Sequence, residues 1–203
     1  RKLSLQVAKD FPTSERGAQA LYWLAHKEKN VATKILYYEQ LKSSFPVDKF
    51  NWSMSGMSTY FEVLLEKSAK EAVGLAAYVA GLPLQERGLK TWNDNTQLAK
   101  NVAEVQSLLK NGKAVDAIAI ADKIQVPRYG SSIPFIILLK AQVLDEAGKT
   151  KEAYEKLLTF FAKEPTEKIN NQLLIYGNKI NKASAAVNKD VLYVRDTTAR
   201  QAP

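Results

Sequence analysis

Two similar stretches, 36 residues apart, decide the fold: Asn-Gly-Lys-Ala-Val-Asp-Ala at residues 111–117 and Ala-Gly-Lys-Thr-Lys-Glu-Ala at residues 147–153. Each places a glycine where one helical pattern stops and the next begins. Glycine adopts the left-handed conformation that often ends a helix at little steric cost. After the second glycine, Ala153, Leu157 and Phe161 recur at helical spacing. The chain therefore repeats a helix–turn–helix unit.

A second repetition lies nearer the start of the chain, where Phe11-Pro12 returns 34 residues later as Phe45-Pro46. Spacings of 34 to 36 residues are typical of helical-hairpin repeats, and 34 is the tetratricopeptide period. Strand patterns are almost absent from the sequence. We therefore predict an all-α fold, a tetratricopeptide-like helical-hairpin array of about nine to eleven helices.

The domain plan follows from where these helical patterns stop. A tetratricopeptide-like domain is predicted over residues 1–190, with sub-units at 1–54 and 55–190. Residues 191–203 are predicted to be an exit linker to a C-terminal domain, because the segment ends in a polar run. The helical pattern already begins at Arg1, so we expect further residues before it.

Caps and prolines predict the helices of the first half. One helix is predicted at residues 13–29 and its antiparallel partner at residues 31–45, because only a very short linker joins them. Residues 47–56 are predicted to form an irregular loop. One long helix is predicted to follow, from about residue 58 to Gly81.

The second half is predicted to alternate helices with short turns. Residues 84–92 are ambiguous, Asn-Asp-Asn at residues 93–95 predicts a turn, and residues 96–110 predict a helix. The helices that follow the two glycines are separated by an apolar helix that begins near residues 131–132. A further helix is predicted at residues 166–181.

Composition excludes several kinds of function. The 203 residues contain no cysteine, which rules out disulfides, thiolate catalysis and cysteine-bound metal within the chain. His26 is the single histidine, so a multi-histidine metal site is excluded, and no cofactor is expected. The longest apolar run, residues 133–139, is too short to cross a membrane, so no transmembrane segment is predicted.

The net charge of +8 raises the question of a nucleic-acid partner. The lysines are scattered along helix faces without a dense cluster, so we expect a solvated surface and no nucleic acid. Neither a phosphate-binding glycine loop nor a nucleophile elbow occurs. Carboxylates that share a helix face, such as Glu62 and Glu66, have no histidine among them. The sequence therefore predicts no catalytic site.

Large aromatic side chains supply the candidate partner-binding residues: Tyr22, Trp23, Tyr37, Phe50 and Trp52. The first three lie on the first helix pair, where they either line a concave face that holds a peptide or pack in the core. Core packing is the favoured reading there, because large aromatic residues dominate core energetics. The other two belong to the predicted loop, and apolar loop side chains either tuck under the loop or contact a partner.

Two smaller signals add no site to these candidates. His26 lies near the end of a helix, as expected of a surface or capping residue, although a histidine can titrate near neutral pH. Residues 51–53, Asn-Trp-Ser, match the glycosylation acceptor pattern, but that pattern is short and common.

One part of the first helix pair resembles envelope proteins of bacteria. Phe-Pro-Thr-Ser at residues 11–14 and Ala-Gln-Ala-Leu-Tyr-Trp-Leu-Ala at residues 18–25 are similar to the tetratricopeptide-like repeats of outer-membrane assembly lipoproteins and Tol-Pal accessory proteins. The similarity covers about one repeat. It implies helical repeats of the envelope type.

A second resemblance concerns residues 194–203, Val-Arg-Asp-Thr-Thr-Ala-Arg-Gln-Ala-Pro. They resemble the segment just before the thioredoxin-fold domain of TlpA-like thiol-disulfide oxidoreductases, notably those of Bacteroidetes. In that family a Cys-x-x-Cys motif follows some tens of residues later. No redox residue carries over to this chain, because it contains no cysteine. The resemblance implies a helical accessory domain beside an enzyme.

Together the resemblances imply a non-catalytic protein-interaction or scaffold domain, periplasmic or associated with the outer envelope of a bacterium. Its partner would be a protein, a peptide or its own C-terminal domain. The first hypothesis is the N-terminal helical accessory domain of a periplasmic thioredoxin-like thiol-disulfide oxidoreductase. The alternative is a free-standing envelope adaptor or assembly lipoprotein. A helical enzyme in its own right is the third, and it requires convergent groups that the sequence does not show.

Overall fold

Every regular element among the residues that this computed structural model describes, 2–127, 130–163 and 175–180, is a helix. The helices are α1 (Lys2–Asp10), α2 (Glu15–Lys27), α3 (Val31–Ser44), α4 (Asn51–Lys67), α5 (Ala69–Ala80), α6 (Glu86–Lys110), α7 (Ala114–Lys123), α8 (Ile133–Glu146) and α9 (Thr150–Lys163). Residues 175–180 are also helical. The all-α prediction is confirmed for this part of the chain. The predicted linker at 191–203 lies outside the described residues, as does the first half of the helix predicted at 166–181.

The chain divides into two compact units, Arg1–Lys100 and Asn101–Pro203, and the division falls inside α6. The boundary predicted between residues 54 and 55 lies inside α4. The domain predicted over residues 1–190 stays a prediction. Among the described helices, none is both long and apolar enough to cross a membrane.

The first helix pair forms as predicted, because side chains cap both of its helices. The Ser14 hydroxyl accepts a hydrogen bond from the backbone N–H of Gly17 at 3.2 Å, at the start of α2. The Asn30 side chain accepts one from the N–H of Thr33 at 3.0 Å, at the start of α3. Three residues join the two helices, which makes them antiparallel neighbours, and they pack against each other.

The prediction of a loop at residues 47–56 is wrong over its second half, because α4 already begins at Asn51. The backbone N–H of Asn51 donates to the Glu15 carboxylate at 2.8 Å, so a side chain of α2 satisfies one free donor at the start of α4. Ser53 and Gly56 suggested a loop, yet both are buried inside the helix. Gly56 lies directly against the Leu41 side chain, and its missing side chain lets α4 approach α3 closely.

Two further helix boundaries differ from the prediction. The single helix predicted from residue 58 to Gly81 is broken at Ser68, whose φ of −156° and ψ of 87° separate α4 from α5. The turn predicted at residues 93–95 does not form, because α6 continues through it. Trp92 is 3% exposed and meets Phe61 edge-on, with ring centroids 6.0 Å apart. Burial of this face outweighs the weak helix propensity of Asn-Asp-Asn.

The two Gly-Lys stretches have the same backbone geometry. Gly112 and Gly148 have φ values of +68° and +80°. At the first junction the N–H of Lys113 donates to the carbonyl of Leu108 at 2.9 Å, and at the second the N–H of Lys149 donates to the carbonyl of Leu144 at 2.8 Å. The N–H of each glycine also donates to a carbonyl three residues earlier. Both junctions are therefore Schellman motifs, and they stand 36 residues apart as the sequence predicted.

The helices after these junctions bury equivalent positions. Ala117 in α7 corresponds to Ala153 in α9, and Ala121 corresponds to Leu157. All four side chains are buried. Helix α8 packs against both α7 and α9, and the three alanines among these positions are small enough to let neighbouring helices approach closely.

Polar contacts inside the same unit tie its helices together. Lys140 in α8 is 9% exposed, and its ammonium donates to the carbonyl of Ile124 at 2.6 Å, at the C-terminus of α7. Burial, with the nearby charge of Lys156, lowers the pKa of Lys140. The Asp145 carboxylate accepts hydrogen bonds from the hydroxyls of Thr150 at 2.8 Å and Tyr176 at 2.9 Å. These contacts join α8 to α7, to α9 and to residues 175–180.

Candidate functional site

Four aromatic rings from two helices meet on the unit Arg1–Lys100. Helix α2 contributes Tyr22, Trp23 and His26, and α4 contributes Trp52. The centroid of Tyr22 lies 5.2 Å from that of Trp23 and 5.1 Å from that of Trp52, and the two indoles lie 6.0 Å apart. The His26 ring stacks on Tyr22 at 5.6 Å and meets Trp23 edge-on at 5.5 Å. We call these four residues the aromatic cluster.

The aromatic cluster is partly open to solvent. Trp23 is 41% exposed, Tyr22 and Trp52 are half-buried, and His26 is exposed. Tyr38, by contrast, is fully buried in α3. The aromatic cluster therefore presents large apolar rings at the surface. Such rings bury much apolar area when a partner covers them.

The structure brings together three of the five predicted binding residues and places the other two elsewhere. Phe50 precedes the first turn of α4 and packs edge-on against the buried Phe45, with ring centroids 5.5 Å apart. Tyr37 is half-buried on α3. Trp52 was predicted to lie on a loop, but the structure places it in the first turn of α4. Its helical position is what points its ring at α2.

Sequence reasoning missed the charged side of this site. The ammonium of Lys27 lies 5.6 Å from the centre of the Trp23 ring, which is cation–π distance. The two residues are four apart on α2, and that spacing was the available signal. Beside them lies a surface groove of about 500 Å³. It is lined by Ser4, Trp23, Leu24, Lys27, Glu28 and Lys29.

The two smaller sequence signals also have definite positions. His26 is exposed in the last turn of α2, which agrees with a surface residue. In the Asn-Trp-Ser pattern, Asn51 is the first residue of α4 and Ser53 is fully buried. The pattern therefore lies in a packed helix start rather than on an open loop.

A second, smaller pocket of about 290 Å³ lies between α3, α4 and α5. The Glu39 carboxylate accepts a hydrogen bond from the Tyr60 hydroxyl at 2.7 Å and pairs with Lys42 at 2.7 Å. The ammonium of Lys42 lies 5.9 Å from the centre of the Tyr78 ring. These contacts tie α3 to the two helices that follow.

The pKa directions in this pocket favour a structural role over proton transfer. Burial alone would raise the pKa of Glu39, but hydrogen bonds from Lys42 and Tyr60 lower it below its usual value. Burial and the bond to Glu39 raise the pKa of Tyr60. Glu39 therefore stays ionised and Tyr60 stays protonated near neutral pH, whereas a general acid or base needs a pKa near the working pH.

Over the residues that the structure describes, every regular element is a helix, the helix–turn–helix junction repeats, and one unit carries a half-exposed aromatic cluster. No family model, curated protein or solved structure matches the chain.

Proposed function

We propose that this chain is a non-catalytic protein-interaction domain, a tetratricopeptide-like array of helical hairpins that binds a protein or peptide partner through the aromatic cluster. The observation that carries the proposal is the exposure of Trp23 in contact with three other rings. Tryptophan and tyrosine are enriched among the few residues that dominate binding energy in protein interfaces. Isolated exposed apolar residues are common, but a contiguous group of rings is a typical interaction surface.

The repeated geometry supports the array part of the proposal. The two Schellman junctions are 36 residues apart, and buried positions recur with the same spacing. In the other unit, the N–H of Phe11 donates to Val7 and the N–H of Phe45 donates to Leu41, both at 3.0 Å and 34 residues apart. Helical-repeat arrays bind partners through surfaces that their stacked helices keep in place.

We further propose that this domain is the helical accessory of a periplasmic thioredoxin-like thiol-disulfide oxidoreductase. Support comes from the resemblance of residues 194–203 to the segment that precedes the redox domain in TlpA-like proteins. In that setting the array would hold a substrate protein near the redox domain or orient that domain. A free-standing envelope adaptor is the second candidate, and the resemblance of residues 11–25 to envelope repeats favours it.

The interaction proposal is tested with matched baits in an envelope extract of the source cells. The baits are the wild-type chain, Trp23→Ala, and Leu36→Ala, which removes a 67% exposed side chain from α3. We expect one protein to be enriched by the wild type and by Leu36→Ala, and at least about tenfold less by Trp23→Ala. Circular dichroism confirms that all three baits are folded. Identical enrichment by the three baits contradicts the proposal.

The oxidoreductase setting is tested by the native protein itself. Its intact mass is measured, and its tryptic peptides are read past Pro203. A peptide containing Cys-x-x-Cys downstream of this chain is the expected result. A mass near 22.6 kDa plus a short lipid-modified leader would favour the free-standing adaptor and discard the redox setting.

A further inference from the structure

The groove beside the aromatic cluster has the size and lining of a peptide subsite. Its volume is about 500 Å³, and ligand sites in proteins commonly measure about 300–1,000 Å³. Trp23 provides an apolar wall and Leu24 adds a second apolar surface. Ser4 of α1 lines the groove as well. The groove is therefore built by two helices and the loop that follows α2.

The charge of this groove is positive. Among the described residues that line it, Lys27 and Lys29 carry positive charge and Glu28 is the single carboxylate. Glu28 turns toward its own loop, because its Oε1 accepts the backbone N–H of Asn30 at 3.0 Å. The ion pairs between side chains of the described residues involve neither lysine. Both lysines are exposed, so their ammonium groups can meet a carboxylate from another molecule.

We propose that this groove binds an acidic peptide segment of the partner protein. An apolar side chain of the segment packs on Trp23, and carboxylates on either side of it pair with Lys27 and Lys29. This inference rests on the proposed function and names the chemistry of its partner. The packing on Trp23 supplies most of the affinity, and the exposed ion pairs supply specificity, since each is worth little in water.

The local arrangement favours an acidic peptide over a nucleic acid. Nucleic-acid surfaces carry rows of lysine and arginine that follow a phosphate backbone. Here two lysines and one indole line the same groove, and Glu28 lies between the lysines in the sequence. A short peptide with one apolar anchor and flanking carboxylates matches that lining.

The test measures the binding of three labelled peptides by fluorescence anisotropy. They are Glu-Glu-Glu-Gly-Phe-Gly-Glu-Glu-Glu and the two peptides in which glutamine or lysine replaces every glutamate. We expect the glutamate peptide to bind the wild-type chain about tenfold more tightly than the glutamine peptide, with the lysine peptide weakest. The preference should shrink between about 50 mM and about 300 mM salt, because exposed ion pairs are screened.

Two double variants distinguish an effect of the groove lysines from an effect of the net charge of the protein. Lys27→Gln with Lys29→Gln should abolish the preference for glutamate and leave the glutamine peptide unchanged. Lys49→Gln with Lys70→Gln removes the same charge from exposed positions outside the groove lining and should keep the preference. Trp23→Ala should weaken the glutamate and glutamine peptides alike, and Leu36→Ala should weaken neither.

The outcomes distinguish this inference from the function on which it rests. Equal binding of all three peptides, or a preference that survives loss of both groove lysines, overturns the acidic-peptide inference. So does a failure of all peptides to bind while Trp23 still governs the capture of a partner protein. If the capture of partners is also independent of Trp23, the proposed function fails as well.

Discussion

Replacing Gly17 by alanine should destabilise the unit Arg1–Lys100, although alanine is the better helix former. A Cβ atom at Gly17 would overlap the backbone carbonyl of Phe11 and lie 2.9 Å from two ring carbons of Phe45. The carbonyl of Phe11 is held in place, because it accepts two hydrogen bonds from Ser14, one from its backbone N–H at 3.3 Å and one from its hydroxyl at 3.1 Å. Phe45 is 1% exposed and has little room to move.

The expected magnitude follows from opposing contributions. Alanine gains up to about 1 kcal/mol over glycine in a helix. Overlap with packed atoms costs about 1–3 kcal/mol, and disturbing the two bonds to Phe11 costs about 1 kcal/mol each. The net loss for Gly17→Ala is therefore about 2–4 kcal/mol. Gly74 is the matched control, because a Cβ there meets nothing within 4 Å. Gly74→Ala should gain about 1 kcal/mol.

Urea unfolding followed by tryptophan fluorescence measures both variants. The three tryptophans, Trp23, Trp52 and Trp92, all lie in the unit that contains both glycines, so their emission reports on that unit. Far-UV circular dichroism follows the whole chain and shows whether the two units unfold together. The free energy of unfolding should fall for Gly17→Ala and rise for Gly74→Ala.

The reasoning is refuted if Gly17→Ala unfolds at the same urea concentration as the wild type or at a higher one. That result would mean that the backbone of Phe11, just after α1, does not lie as close to Gly17 in α2 as the overlap requires. A loss of stability in Gly74→Ala would refute the other half of the comparison, since open space and helix propensity both favour alanine there.

Three further predictions concern single contacts, and all are measured by urea unfolding. Tyr60→Phe should cost about 1 kcal/mol near neutral pH. Because the pKa of Glu39 is below its usual 4.5, this cost is present above that pH and should disappear as the pH falls through the lowered pKa; a pH-independent cost would contradict it. Gly112→Ala and Gly148→Ala should each cost about 1–2 kcal/mol, because both glycines have positive φ and a Cβ there meets nothing else; clearly unequal losses would argue against equivalent junctions. Ser53→Ala should be neutral or stabilise by up to about 1 kcal/mol, because its buried hydroxyl has no hydrogen-bond partner among the described residues; a large loss would reveal a bond to that hydroxyl.

The sequence predicted the helix ends that depend on local chemistry. Gly112 and Gly148 were expected as helix terminators, and both act as predicted. Ser14, at the start of the helix predicted from residue 13, caps α2. Local chemistry suffices here because a capping hydroxyl or a left-handed glycine satisfies its own backbone neighbours. Such signals do not depend on what packs against the helix.

The errors fall where packing overrides local preference. Ser53 and Gly56 resemble loop residues, but α4 uses their small size to pack closely. The break at Ser68 was missed for a different reason. Residues 68–71, Ser-Ala-Lys-Glu, match a helix-start pattern, but buried positions continue at helical spacing from Leu65 through Ala69 and Ala72 and suggest one helix. The close packing at Gly56 depends on Leu41, which lies elsewhere in the sequence, so composition and periodicity alone could not find it.

The candidate site was predicted residue by residue but not as a group. Large aromatic side chains drew attention to Tyr22, Trp23 and Trp52, yet their meeting depends on Trp52 being helical. With Trp52 placed on a loop, its direction was undefined. The groove lysines were missed for a related reason. Only the position of the Lys27 ammonium over the Trp23 ring marks Lys27 as part of the site.

One glycine links the packing of the first unit to the geometry of its surface site. Gly56 and Trp52 are four residues apart and so share a face of α4. A Cβ at Gly56 would overlap the Leu41 side chain and lie 3.6 Å from the Tyr22 ring, so this face of α4 rests on both α3 and α2. The close approach at Gly56 therefore sets the distance between Trp52 and Tyr22. Because packed helices hold the rings in place, a partner of the proposed kind would lose little free energy in ordering them.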